Sequence, residues 1–326
     1  MRLAIVGCGL VGRKRARTLG HEHQLIAAVD TDLERAQSLA ASFSGAVVTT
    51  DWREVVFRSD VDAVIVATTN QCLAPVSLAA IEAGKHVLVE KPAARNPAEL
   101  RPLIAASKAG GVCVQVGFNH RYHPGFQKAR EIVDSGALGP LMFVRGRYGH
   151  GGRLGYEREW RAIPVVSGGG SLLDQGVHLI DLAGWFLGPF VHVNGFAHTY
   201  FWNMAVEDNG FLLLRTNQNQ IAQLHASCTE WKNLFSFEIY GQQGKLHVEG
   251  LGGSYGVERV SYYKMLPRMG PPETMIWEFP GEDLSWKLEL DAFQGFVERR
   301  ETPRPGLLEA ASALDIVEEI YRKTAS

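Results

Sequence analysis

The chain has 326 residues, of which 46% are hydrophobic and 21% charged, with a net charge of -2. These values are ordinary for a soluble globular protein of two domains, and the charge predicts neither a nucleic-acid partner nor an anionic membrane surface. No apolar run approaches the length of a membrane span, and the first strand begins at Leu3, which leaves no room for a signal peptide. The four cysteines are scattered without a Cys-x-x-Cys pair, so we expect reduced thiols in a cytoplasmic protein.

A glycine-rich turn directly follows the first predicted strand. Residues 3–6 are apolar, and Gly7, Gly9 and Gly12 follow at the spacing G-x-G-x-x-G before a predicted helix. In a dinucleotide site these glycines permit the turn, the approach of a pyrophosphate and close helix–strand packing. The helix N-terminus adds free N–H groups and a positive dipole end for phosphate. A plain strand-to-helix turn is the alternative interpretation of the glycines alone.

An acidic residue ends the second predicted strand. Residues 25–29 are apolar, and Asp30 follows at about the distance from Gly12 at which a carboxylate binds the adenosine ribose hydroxyls. The combination predicts a dinucleotide site. A carboxylate repels a 2′-phosphate, so NAD is favoured over NADP, although the nearby Arg35 weakens that preference.

The predicted elements divide the chain into two domains. Strands and helices alternate over residues 1–118, which predicts a six-stranded parallel Rossmann sheet. Over residues 119–326 consecutive strands dominate, with hairpin loops at 217–219 and 241–244. We therefore predict an α/β protein: a doubly wound NAD(P)-binding domain, then an α+β domain with a large, mostly antiparallel open sheet for substrate binding and oligomerisation.

The second domain is also predicted to make contacts beyond its own sheet. Helices near residues 172–186 and 284–299 would cover one face of that sheet, and the other face would need a partner. This predicts a homodimer or homotetramer formed through the sheet. A final helix over residues 307–323 is expected to pack back on the first domain.

A lysine follows the fifth predicted strand. Residues 86–89 lead into Glu90, Lys91 and Pro92 at the carboxyl end of a parallel strand, where ligands of doubly wound sheets bind. There the ammonium group of Lys91 can stabilise alkoxide character on a substrate oxygen during hydride transfer. A solvated surface lysine is the alternative.

A polar stripe lies on an otherwise apolar predicted helix. Asp174, His178 and Asp181 follow the glycines at 168–170 and share one helical face. Such a stripe must be satisfied by partners or face a cleft. His178 suits proton exchange with a hydroxyl, and Asp174 would orient it or bind a second hydroxyl. The alternatives are a core histidine bonded to a structural aspartate, and a metal pair; because a third clear ligand is missing, we predict no metal.

Basic and aromatic residues are concentrated in two further stretches. Arg121 and Tyr122 follow the last parallel strand. Tyr148 ends the next predicted strand, and Trp160 and Arg161 lie in the segment that follows that strand. Arginine together with aromatic rings suits a polyhydroxylated or carboxylated ligand. Ordinary surface charge in a loop is the alternative.

Three motifs carry a resemblance to a known family. Residues 83–92 resemble the signature A-G-K-H-V-x-x-E-K-P, residues 168–181 resemble G-G-G-x-L-x-D-x-G-x-H-x-x-D, and residues 236–244 resemble an F-x-I-x-G-x-x-G hairpin. With the N-terminal glycine turn, the chain resembles the glucose–fructose oxidoreductase, inositol dehydrogenase and rhizopine-catabolism (Gfo/Idh/MocA) superfamily over nearly its whole length. One departure is that the family's A-T-P-N-x-x-H loop has Thr69 for proline and Leu73 for histidine here, so the loop would hold the nicotinamide differently.

The resemblance implies that Lys91, Asp174 and His178 form a catalytic trio. The residues that we assign to the cofactor are Gly7, Gly9, Leu10, Val11, Gly12, Asp30, Thr68, Thr69, Asn70, Glu90, Lys91 and Asn119. The residues that we assign to the substrate are Lys91, Arg121, Tyr122, Tyr148, Trp160, Arg161, Asp174 and His178.

These observations predict an NAD-dependent oxidoreductase acting on CH–OH groups. It would transfer a hydride between nicotinamide and a secondary alcohol or ketone of a sugar, cyclitol or nucleotide-sugar. One alternative is an NAD-dependent glycosidase or lyase that oxidises its sugar transiently. A catalytically inactive NAD-binding sensor is the other, and it would not need all three residues of the trio.

Overall fold

The computed structural model describes residues 1–325, and its contacts divide the chain into two compact units. Unit 1 comprises Met1–Phe118, Val165–Gly168 and Trp286–Leu314. Unit 2 comprises Asn119–Pro164, Gly169–Ser285 and the chain from Asp315 onward.

Unit 1 is built on a parallel sheet. Its strands are β1 (Arg2–Val6), β2 (Gln24–Val29), β3 (Val47–Thr49), β4 (Ala63–Val66), β5 (His86–Glu90) and β6 (Val114–Gly117). The helices between them are α1 (Leu10–Arg17), α2 (Leu33–Ala40), α3 (Arg53–Val56), α4 (Asn70–Glu82) and α5 (Pro97–Gly110). The strand order β3-β2-β1-β4-β5-β6, with every pair parallel, confirms the predicted doubly wound sheet. Its central strands are buried almost throughout, as a parallel sheet with both faces covered requires.

Helix α4 differs from its predicted extent. The sequence predicts a helix over residues 75–83, but the helix begins at Asn70 and contains Pro75. Thr69, in extended conformation, is its N-cap residue. The chain therefore passes from β4 into α4 within three residues, Ala67 to Thr69.

Unit 2 is built on an eight-stranded sheet. Its strands are β7 (Leu141–Gly149), β8 (Phe190–His198), β9 (Asn209–Thr216), β10 (Ile221–Ser227), β11 (Leu234–Gly241), β12 (Gly244–Glu249), β13 (Glu258–Lys264) and β14 (Glu273–Phe279). Their order is β14-β13-β12-β11-β7-β10-β9-β8, and every pair is antiparallel except β7 with β10. This confirms the predicted α+β sheet. Strand β14 was not predicted, because it is a mostly exposed edge strand without alternating burial.

The remaining α-helices all follow β6 along the chain. They are α6 (Pro124–Asp134), α7 (Pro164–Ser167), α8 (Val177–Leu187), α9 (Ser285–Arg299) and α10 (Leu307–Ala325). Helix α6 packs on β12, β13 and β14, and α8 packs on β7 and β10. The expectation that the helix over 284–299 covers this sheet is wrong, because nearly all of α9 makes its contacts within unit 1. In the described chain, none of the helices is both long and apolar enough to cross a membrane.

Candidate active site

The glycine turn of unit 1 has the geometry of a phosphate cradle. Gly7 has a φ of +97°, and a Cβ there would lie 2.4 Å from the carbonyl oxygen of Ala67. A Cβ on Gly12 would lie 1.9 Å from the carbonyl oxygen of Gly7, so both positions require glycine. At Gly9 nothing lies within 4 Å of the Cβ position, and α1 begins at Leu10. Open space in front of a helix N-terminus fits a pyrophosphate.

Asp30 at the end of β2 is bound to the same turn. Its carboxylate accepts hydrogen bonds from the backbone N–H groups of Cys8, at 2.7 Å, and Asp32, at 3.0 Å. These bonds hold the carboxylate beside the cradle, where an adenosine ribose is bound in dinucleotide sites.

The Asp30→Asn variant is expected to bind NADH about tenfold more weakly or worse, because hydrogen bonds to a charged acceptor are stronger than those to an amide. Titration of protein fluorescence with NADH and NADPH would measure this, and we expect the preference for NADH over NADPH to narrow. The Asp32→Asn variant is the control, since Asp32 caps α2 and is not assigned to the cofactor. Unchanged NADH and NADPH affinities in Asp30→Asn would contradict the assignment.

The other residues assigned to the cofactor in unit 1 lie at strand ends. Thr68 donates to the carbonyl oxygen of Thr69 at 3.1 Å. The buried Asn70 donates its side-chain amide to the carbonyl oxygen of Ser167 at 2.8 Å. Lys91 is half-buried directly after β5, and its bond to the following proline is cis.

Glu90 belongs to a buried ion cluster that sequence reasoning missed. The fully buried Arg15 donates to the Glu90 carboxylate at 2.5 and 2.8 Å, and its other terminal nitrogen lies 2.6 Å from the Glu289 carboxylate. Burial alone would lower the pKa of Arg15, but the negative charges of Glu90 and Glu289 outweigh it and raise that pKa. The cluster connects α1, which follows the glycine turn, to β5, the strand directly before Lys91. Arg15 stands in a basic run, so the sequence indicates a surface residue.

In unit 2, Asp174 and His178 lie on one continuous helical segment. Residues Leu172–Gly176 form a π-helical turn that runs into α8, so the predicted helical stripe begins in a wider helix. Arg161 donates to the Asp174 carboxylate at 3.3 Å. The buried His178 ring stacks on the His120 ring, with centroids 3.9 Å apart.

Tyrosine rings extend this cluster. The Tyr148 ring lies edge-on to those of His120, at 5.0 Å, and His178, at 6.1 Å. The Tyr255 ring lies 5.6 Å from the Tyr148 ring. Burial raises the pKa of Tyr148 well above its usual value, and the charge of Asp174 adds to the effect. The tyrosine hydroxyl is therefore neutral at neutral pH and able both to donate and to accept.

The remaining predicted residues have varied places in unit 2. The Arg121 guanidinium is buried and donates to both carboxylate oxygens of Asp181, at 2.8 and 2.7 Å. Asn119 is also buried and donates to the Ser285 hydroxyl at 2.9 Å. Trp160 is half-buried, with the Arg161 guanidinium over its ring at 4.5 Å, and Tyr122 is half-buried in the short 3-10 helix Asn119–Tyr122.

Glu207 fixes the start of the helical segment, and sequence reasoning missed it. Its buried carboxylate accepts from the backbone N–H groups of Gly170, at 3.0 Å, and Leu172, at 2.9 Å, and from the Tyr321 hydroxyl at 2.9 Å. A Cβ on Gly170 would lie 1.9 Å from the Glu207 carbonyl oxygen, and one on Gly169 would lie 2.1 Å from the Tyr321 hydroxyl. Glycine at these two positions therefore leaves room for Glu207 and Tyr321 to hold the turn that precedes Asp174. Burial raises the pKa of Glu207, and the hydrogen bonds that its carboxylate accepts only partly offset this rise.

The part of the chain that the structure describes contains no ligand set for a metal ion. No group of three or more His, Cys, Asp or Glu side chains there is arranged to hold a metal ion.

Comparison with known proteins decides the family. Residues 1–118 match the oxidoreductase family with an NAD-binding Rossmann fold, and residues 126–247 match the GFO/IDH/MocA C-terminal domain. The chain belongs to the Gfo/Idh/MocA family. This confirms the resemblance seen in the motifs and NAD as the cofactor of the Rossmann domain.

Two curated relatives in the Gfo/Idh/MocA family are dehydrogenases by name. Inositol 2-dehydrogenase 2 of Saccharopolyspora erythraea is 33% identical over 232 residues, which are 69% of this chain and 66% of that protein. Levoglucosan dehydrogenase of Pseudarthrobacter phenanthrenivorans is 32% identical over 179 residues, 54% of this chain and 46% of that protein. The match therefore spans about half to two thirds of these relatives' own lengths.

Solved structures of similar proteins show the same fold. Levoglucosan dehydrogenase in complex with NADH and L-sorbose superposes with a TM-score of 0.89 at 22% identity, covering 100% of this chain and 97% of that one. Aldose–aldose oxidoreductase from Caulobacter crescentus, complexed with glycerol, gives 0.85 at 24% identity, covering 100% and 97%.

Proposed function

We propose that this chain is an NAD-dependent dehydrogenase that acts on a secondary alcohol or ketone of a sugar, cyclitol or nucleotide-sugar. The observation that carries the proposal is the cluster in unit 2, where Asp174, His178 and Tyr148 combine a carboxylate, an imidazole and a hydroxyl among aromatic rings. The nucleotide cradle of unit 1 supports the redox chemistry. The relatives' names, which refer to levoglucosan and inositol, support a carbohydrate-type substrate.

In this proposal the residues of the chain handle the proton and the developing charge. Bound NAD supplies the hydride acceptor. His178 removes the proton of the substrate hydroxyl, and the ammonium group of Lys91 stabilises the negative charge that develops on the oxygen. Asp174 orients the histidine or binds a neighbouring hydroxyl. Arg161, which bonds Asp174, fixes the position of that carboxylate.

A screen of purified protein against sugars, inositols and sugar nucleotides tests the proposal by following the absorbance of NADH. We expect NADH to accumulate with at least one class. A glycosidase or lyase that regenerates NAD would instead release sugar and aglycone without net NADH. NADH binding without turnover of any class would indicate a sensor.

We further propose that two copies of the chain associate through the outer face of the unit 2 sheet, as a homodimer or within a homotetramer. This face has a depression of about 760 Å³ lined by side chains that include Arg147, Phe196 and Phe211. Arg145 and Glu238 lie 3.0 Å apart on the same face. A face that carries both charge signs and exposed rings can complement a second copy of itself.

Sedimentation analysis tests this second proposal. The parent protein is expected to have at least twice the mass of one chain, and Leu213→Asp, which puts a charge at an exposed position of β9, is expected to lower that mass. Leu288→Asp in α9, which is also exposed but lies in unit 1, is the control. A parent protein that sediments as a monomer would refute the proposal.

We also propose a cytoplasmic location. All four cysteines are free thiols, and Cys8, Cys113 and Cys228 are buried. Burial raises the pKa of Cys228 to about 11, so this thiol is protonated and unreactive at neutral pH.

A further inference from the structure

A compact loop between β12 and β13 presents a tyrosine that sequence analysis does not single out. The backbone of the loop closes on itself, since Gly252 donates to the carbonyl oxygen of Gly256 at 2.9 Å and Tyr255 donates to that of Gly252 at 3.1 Å. Asn233 donates to the Ser254 hydroxyl at 2.6 Å and ties the loop to the chain before β11. Tyr255 is therefore held on a defined loop and remains half-exposed.

Tyr255 reaches the cluster that contains His178 through Tyr148. The two tyrosine rings are 5.6 Å apart, with an angle of 56° between their planes. Tyr148 itself lies against His120 and His178. Burial raises the pKa of both hydroxyls, and the negative charge of Asp174 adds to the effect. The two hydroxyls form a small polar group beside the proposed proton acceptor.

Three arginines of unit 2 around this cluster are paired with carboxylates. Arg161 bonds Asp174 at 3.3 Å and lies 4.0 Å from Glu159. Arg153 lies 2.7 Å from the same Glu159. As described above, Arg121 is buried in a two-bond ion pair. Within unit 2, a carboxylate or phosphate on a substrate would therefore compete with existing ion pairs and would meet the charge of Asp174.

We propose that Tyr255 is a specificity-determining residue that, together with Tyr148, hydrogen-bonds a hydroxyl of an uncharged polyol. The inference rests on the proposed function and narrows its substrate to neutral sugars and cyclitols, without sugar acids or nucleotide-sugars. A phenol hydroxyl both donates and accepts, so it matches a substrate hydroxyl in either role. A site built for a hydroxyl also discriminates against analogues that lack it, because its own polar groups are then left unpaired.

The Tyr255→Phe variant tests the residue, because it keeps the ring and removes only the hydroxyl. With the best neutral polyol from the screen, KM is expected to rise about 3–10-fold while kcat and the NADH dissociation constant stay within about twofold. In a panel of deoxy analogues, loss of the hydroxyl at one substrate position is expected to raise the KM of the parent. Loss of the same hydroxyl should raise the KM of Tyr255→Phe no further. A tyrosine with a purely structural role would not show this loss of coupling between the two hydroxyls.

The matched control is Tyr262→Phe in β13. Its hydroxyl bonds the carbonyl oxygen of Ala137, so the variant is expected to lose stability without changing KM or the response to deoxy analogues. Kinetics of Tyr255→Phe that equal those of the parent on every analogue would overturn the proposal for Tyr255.

Matched substrates test the charge argument in the same experiment. Glucose is compared with glucuronate, and myo-inositol with its monophosphate, by NADH formation and by calorimetric titration in the presence of NADH. The neutral member of each pair is expected to bind at least about tenfold more tightly, and tighter binding of the charged members would overturn the inference.

The two proposals can fail separately. If the parent forms no NADH with any polyol, the proposed dehydrogenase function fails, and the titrations alone still decide the role of Tyr255. If the parent oxidises a polyol and Tyr255→Phe binds it with parental affinity, only the inference about Tyr255 fails.

Discussion

Replacing Lys91 with methionine is expected to lower kcat by about 10²–10³-fold, the usual cost of losing one donor that stabilises a developing oxyanion. Lys91 directly follows β5 at the carboxyl edge of the parallel sheet, where the next residue after the strand is available to a ligand. Methionine preserves most of the side-chain length and apolar stem but removes the positive charge. Folding should therefore change little while the rate falls.

Two comparisons separate charge stabilisation from a general loss of structure. Lys91→Arg keeps the charge in a different geometry, so its rate should lie between those of the parent and of Lys91→Met. Lys108→Met, at an exposed position near the end of α5, should equal the parent. Initial rates with saturating NAD, together with NADH titrations, distinguish a lost chemical step from lost cofactor binding. Near-parental turnover in Lys91→Met would remove Lys91 from the proposed mechanism.

The features of unit 1 that the sequence predicts are those set by local backbone constraints. Gly7 and Gly12 have no room for a Cβ, and Asp30 ends a strand whose apolar run is unmistakable. Buried parallel strands also give short continuous apolar segments, so all six strands were predicted. Strand topology also predicted that Lys91 follows a parallel strand at its carboxyl end, where ligands of such sheets bind.

What could not be predicted depends on partners that are distant in sequence. Nothing near Arg15 distinguishes it from its exposed neighbours on α1, since its partner Glu289 lies on α9. Likewise Arg121 lies in a stretch of basic and aromatic residues that is typical of a ligand site, and only the fold shows its pairing with Asp181. Tyr255 stands in a glycine-rich loop whose conformation has no periodic signal.

Replacing Arg15 with methionine is expected to lower the free energy of unfolding of unit 1 by about 3–5 kcal/mol, because it leaves buried carboxylates without their counter-ion. Arg15 is fully buried and contacts both Glu90 and Glu289. An exposed ion pair would contribute far less, at about 0–1 kcal/mol. The matched control is Arg17→Met, on the same helix at an exposed position, which should change stability by less than about 0.5 kcal/mol.

The pH dependence of the Arg15→Met variant distinguishes this cause from simple loss of packing. Without the guanidinium, the two buried carboxylates of the cluster lack a counter-ion and repel each other, and binding a proton relieves both effects in the folded variant. The folded state would then bind protons more tightly than the unfolded state, so the variant should gain stability relative to the parent as the pH falls below neutral. A packing defect would leave the difference independent of pH.

Removing one of the two carboxylates should rescue the variant. In Arg15→Met combined with Glu289→Gln, Glu90 is left as the single carboxylate of this cluster, and we expect about half of the lost free energy to return. Because Glu90 directly precedes Lys91, we also expect Arg15→Met to lower turnover and the double variant to recover part of that loss. Urea unfolding at two pH values and initial rates measure both effects. Equal stability of Arg15→Met and Arg17→Met at neutral pH would show that the buried cluster contributes no net stability.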